Sequence, residues 1–61
     1  MNKRMFWMEI HRHWKSEPRY KCYNIYAPKC DVPKVLHLCK QYGIESYVCD
    51  CLNESIVTVM L

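Results

Sequence analysis

Residues 4–14, RMFWMEIHRHW, alternate in polarity with period two. Phe6, Met8 and Ile10 form one face, and Trp7, Glu9, His11 and His13 the other. That period, with its aromatic content, predicts a strand. Lys15-Ser16-Glu17-Pro18 reads as the following turn, because proline fixes φ and removes a ladder donor. Residues 19–26, RYKCYNIY, then return as the second strand of a hairpin. Lys21, Tyr23 and Ile25 fall on one face of it, and Tyr20, Cys22, Asn24 and Tyr26 on the other.

The pattern changes after Ala27-Pro28-Lys29-Cys30. Val32, Val35, Leu36, Cys39 and Tyr42 recur at spacings of three and four, which is one stripe of a helix. Asp31 is placed as its N-cap, and Pro33 sits in the first turn, where a missing N–H costs little. Lys34, His37, Lys40 and Gln41 lie outside the stripe. Gly43, the single glycine of the chain, follows at the position where a left-handed residue ends a helix. Residues 44–52, IESYVCDCL, predict a third strand with Tyr47, Cys49 and Cys51 inward, since the other register buries Asp50. After a turn at 52–55, residues 56–61, IVTVML, predict a last strand. Their β-branched run suits a central place in the sheet.

The expected order is β-β-α-β-β, an α+β fold with one helix on a four-stranded sheet in two layers. It resembles the β-grasp domains, including the immunoglobulin-binding domains of bacterial surface proteins, in topology alone. In that arrangement the first and last strands lie side by side at the centre. A ferredoxin-like split sheet is the rival reading. Residues 1–61 are expected to form one domain, too short for two. A chain of this size buries only ~60% of its unfolded surface, so marginal stability is expected.

Charge is uneven along the chain. Residues 1–30 carry Lys3, Arg4, Arg12, Lys15, Arg19, Lys21 and Lys29 against Glu9 and Glu17, a balance of +5. Residues 31–61 carry Lys34 and Lys40 against Asp31, Glu45, Asp50 and Glu54, a balance of −2. The basic half suits an acidic surface on a protein or a nucleic acid. Five cysteines is an odd number, and their spacings show no tight disulfide framework. Met1 to Trp14 does not read as a signal peptide, because charged and histidine residues interrupt it. Free thiols in a reducing compartment, the cytoplasm, are therefore expected. No apolar run reaches the ~20 residues that span a bilayer, so no membrane role is expected.

Catalysis is the class this chain fits worst. His11 and His13 share a strand face with Glu9, yet zinc needs further ligands, and Cys22 is the sole candidate. Cys39, Cys49 and Cys51 form either a three-sulfur cluster or a small thiol-rich core. Cys30 precedes the helix, but no base is placed near it. No phosphate loop or catalytic triad is present. No cofactor or metal is expected, and the protein reads as non-enzymatic.

What remains is a sheet face left bare by a single helix, carrying Trp7, His11, His13, Tyr20 and Tyr26 beside Arg12 and Arg19. Exposed aromatic patches mark contact surfaces. The expectation is a larger protein partner bound stoichiometrically, with the chain acting as an inhibitor or adaptor of a host complex. In size and style it resembles the small inhibitors that phages and mobile elements direct against host enzymes and defence systems. Two alternatives compete: a homodimeric structural protein, and a single-stranded nucleic-acid-binding domain that uses the aromatic and basic face.

Overall fold

Phe6 and Ile10 are both fully buried, while Met8 between them is 58% exposed. A strand would put all three on one face; a helix puts positions four apart together and turns the middle one away. The computed structural model, which describes residues 3–60, accordingly has a helix here, α1 (Lys3–His13). The strand expected over residues 4–14 is not formed. Glu9 also reaches Arg12 (3.9 Å) and His13 (3.5 Å), the three- and four-residue pairs that a helix surface brings together. Arg12 lies in its last turn, where positive charge meets the negative end of the helix dipole.

The hairpin is displaced as a result. Residues expected to turn form strand β1 (Lys15–Arg19), which pairs antiparallel with β2 (Cys22–Ala27). Pro18 is tolerated because β1 is an edge strand. The turn is Tyr20-Lys21, with Lys21 left-handed at φ 61°. A short 3₁₀ turn (Lys29–Asp31) leads into α2 (Val32–Gln41), followed by β3 (Ser46–Asp50) and β4 (Ser55–Met60). Leu61, the last residue of the expected final strand, lies outside the described residues.

The α2 stripe is as its spacing predicts, with Val35 and Cys39 buried and Leu36 and Tyr42 packed on the core. Gly43 adopts φ 66°. The Gly43 N–H donates to the Lys40 carbonyl (3.2 Å) and the Ile44 N–H to that of Cys39 (2.8 Å). This is a Schellman ending, and Ile44 completes it by burying its side chain in the core. Asp31 holds the N-cap position, but its carboxylate makes no capping bond. It accepts instead from the Trp14 indole N–H (2.9 Å), tying the end of α1 to the start of α2.

The sheet order is β1-β2-β4-β3, antiparallel throughout. β2 and β3 are thus parallel to each other, with β4 inserted between them and α2 as the crossover. This is the split arrangement. The second and last strands are central, not the first and last. The α+β class and the four-stranded sheet hold, with two helices in place of one. Ile25 and Ala27 of β2 and Val57 and Val59 of β4 point toward the helices and meet Phe6, Ile10, Val35 and Cys39 in one buried cluster. Each of the valine, isoleucine and phenylalanine side chains contributes roughly 1.5–3 kcal/mol on burial.

Candidate interaction surface

Both helices sit on the same side, so alternation along the strands leaves the opposite side bare. Register fixes its composition in rows. Glu17, Asn24, Thr58 and Tyr47 cross the sheet in one row. Lys15, Tyr26, Ile56 and Cys49 form the next, and Arg19, Cys22 and Met60 the third. Tyr26, Ile56 and Thr58 are half-buried by their neighbours, whereas Tyr47 and Met60 are exposed.

The polar groups of this face satisfy one another. Thr58 Oγ1 donates to Asn24 Oδ1 (2.9 Å). Tyr26 Oη donates to Glu17 Oε2 (3.0 Å), and Glu17 also pairs with Arg19. The Arg19 guanidinium and the Tyr26 hydroxyl hold the Glu17 carboxyl below its ordinary pKa. Tyr47 Oη donates to Glu45 (3.0 Å), which raises the phenol's pKa. The face therefore offers ring edges and aliphatic groups whose polar tips are already occupied.

The residues singled out from sequence separate into four places. Arg19 and Tyr26 lie on this face. Tyr20 stands at the adjoining hairpin tip, 86% exposed, with Lys21 Nζ over its ring at 5.3 Å. Trp7 lies instead between α1 and the sheet, packed at a tilt against Tyr23 with ring centroids 4.5 Å apart and edge-on to Phe6. His11, Arg12 and His13 are exposed along the end of α1. Because residues 3–13 are helical, these three and Trp7 never join the hairpin in one surface.

The third strand is also turned over. Val48 pairs with buried Val57 on the helix side, and Tyr47 and Cys49 face the bare side. Asp50 shares the helix-side parity but stays wet because β3 is an edge. It accepts from Ser55 Oγ at 2.8 Å. Sequence reasoning missed Tyr47 for this reason, and missed Ile56 and Met60 because the β-branched run of β4 gave no choice between its two faces. The polar Thr58 between Ile56 and Met60 was the available signal. The thiols of Cys39, Cys49 and Cys51 are not gathered: Cys39 is buried under α2, where burial pushes its pKa up, and the other two are exposed. Among the described residues, no three or more His, Cys, Asp or Glu side chains are placed to hold a metal ion.

A concavity of about 570 Å³ lies between the end of α1 and the start of α2, lined by Glu9, His13, Trp14, Asp31, Lys34 and His37 among others. Its carboxylates are taken within the chain. Asp31 is engaged by Trp14 and by Lys34 (3.6 Å), and Glu9 by Arg12 and His13. The Trp14 indole first, and Lys34 as well, lower the pKa of Asp31. Among the described residues, no buried side-chain polar atom lacks a hydrogen-bond partner. The cleft is better explained as a clamp between helices than as a binding site. Among the described residues, no helix is long and apolar enough to cross a membrane.

Comparison of the chain with protein-family models, curated proteins and solved structures returns no match.

Proposed function

We propose that this protein binds a larger protein partner stoichiometrically, as an inhibitor or adaptor and not as a catalyst. The observation that carries this reading is the bare sheet face, on which Tyr26, Ile56 and Met60 adjoin Tyr47 on one side and the Arg19–Tyr20–Lys21 tip on the other. Tyrosine and aliphatic groups ringed by satisfied polar pairs are the composition of a protein-binding centre with a polar rim. Nucleic acid is the poorer fit. Glu17 and Glu45 stand beside the two tyrosines of this face and Arg19 is already paired, so a phosphate chain would meet two carboxylates among the cations Lys15 and Lys21. The inhibitor style of small phage and mobile-element proteins remains the preferred setting, with the thiols suited to a reducing cytoplasm.

The test is a titration by calorimetry against a protein retained from the native host, using the wild type and Ile56→Glu. The expected result is a saturable stoichiometric complex that weakens at least ~30-fold in the variant, the scale of a central hot spot. Equal binding by a folded Ile56→Glu variant would sink the reading. So would a steep loss of wild-type binding with salt once a single-stranded oligonucleotide replaces the protein.

A further inference from the structure

The two edges of the sheet are built differently. On β1, Pro18 removes a backbone donor and Lys15, Glu17 and Arg19 add charge, devices that keep an edge from pairing. On β3, the sequence Ser46-Tyr47-Val48-Cys49-Asp50 has no proline, lysine, arginine or glycine. Tyr47 is 56% exposed and Val48 41%.

The backbone of β3 shows which groups are open. The Met60 N–H donates to the Glu45 carbonyl and the Cys51 N–H to that of Glu54, both at 2.9 Å. Antiparallel ladders alternate, so residues 45, 47, 49 and 51 turn their backbone groups to β4. Ser46, Val48 and Asp50 therefore aim theirs away from the sheet.

From this we infer that β3 pairs antiparallel with β3 of a second copy of this chain, about a twofold axis at Val48. The strand is complementary to itself in that register. Val48 opposes Val48 in a hydrogen-bonded pair, and Ser46 opposes Asp50 on each side, so no like charges meet directly. Tyr47 opposes Cys49 of the second copy in the closer, non-hydrogen-bonded pair, where ring and sulfur make a favourable contact. A hydroxyl already faces the Asp50 carboxylate within the chain, from Ser55. A partner strand of another protein would need no such self-match. The result is one continuous eight-stranded sheet whose bare faces run together. This pairing does not rest on the partner-binding reading. A five-residue ladder buries less than the roughly 1,200 Å² of a standard stable interface, so association belongs in the micromolar range.

Sedimentation velocity in reducing buffer, from low to high micromolar, tests it. The wild type should move from 7.4 kDa to twice that mass. Val48→Lys and Val48→Glu each place like charges on the axis, and each should dimerise at least ~10-fold more weakly. Mixed in equal amounts, they should pair with each other. Tyr47→Cys gives an independent reading, because oxidation should then link residue 47 to Cys49 of the second copy, identified by peptide mapping. A wild type at monomer mass throughout overturns the inference. A folded Val48→Lys that dimerises normally, a mixture that stays monomeric, or a Tyr47→Cys dimer lacking the 47–49 link would do the same.

Discussion

On the helix side of the sheet, Ile25, Ala27, Val57 and Val59 are closed off from water beneath Phe6, Ile10, Val35 and Cys39. On the other side of the same strands, Asn24, Tyr26, Ile56 and Thr58 are only half-buried, and polar groups bond laterally across the sheet. Both faces hang on one backbone ladder, but they differ in what each side chain loses on truncation. A core residue leaves a cavity and unfilled contacts. A residue on the bare face leaves water. Stability in this small chain is therefore concentrated on one face, and the other is at liberty to serve binding.

The strongest challenge to that contrast is Phe6→Ala. Its ring meets both Trp7 and Tyr42 at the centre of the helix layer. The loss should be about 3–5 kcal/mol, against a total of only ~3–9 kcal/mol for a chain of this length. Urea unfolding should show little or no folded baseline; a shift of under about 1 kcal/mol would mean that α1 is not part of the core.

Trp14→Phe should have a smaller effect, and one that depends on pH. The Asp31 carboxyl has a lowered pKa in the folded chain, first because the Trp14 indole donates to it. Its contribution is thus fully present above the unfolded carboxyl range, near pH 4, and is lost as pH falls through the lower folded value. The wild type should lose stability over that acid window, and Trp14→Phe should lose less there while starting lower at pH 7. Parallel denaturation curves at all pH values would show that the indole–carboxylate bond does not link the helices.

The smallest effect belongs to the bare face. Thr58→Val removes the bond to Asn24, which stays half-exposed and can turn to water. A change within about 1 kcal/mol is expected in the same unfolding assay. A loss approaching that of Phe6→Ala would show the two faces to be energetically alike.

Legibility followed the same division between local and distant causes. The α2 segment was readable because several signals agreed: Pro33 at its start, the Val35–Cys39 stripe, and Gly43 at its end. Residues 4–14 were not, because Phe6, Met8 and Ile10 satisfy period two while Phe6 and Ile10 also satisfy period 3.6. The spacing of Glu9 to Arg12 and His13 suits a helix, but exposed pairs of that kind are worth too little to outweigh the alternation. For the candidate surface, Arg19 and Tyr26 were identified and Tyr47, Ile56 and Met60 were not. Trp7 was assigned outward by the strand reading and is in truth an interlayer side chain.

By itself, the sequence settled the α+β class, the second helix and its boundaries, the alternation of β2 and the central place of β4, since each depends on neighbours within a few positions. Tertiary structure decided that α1 is a helix, that Pro18 lies in an edge strand, and that β3 turns Val48 rather than Tyr47 toward the core. Those outcomes depend on which distant surface a segment meets. Burial of Phe6 and Ile10, the place of β1 and β3 at the sheet's rims, and continued access of Asp50 to water are properties of the assembled layers, and no local pattern encodes them.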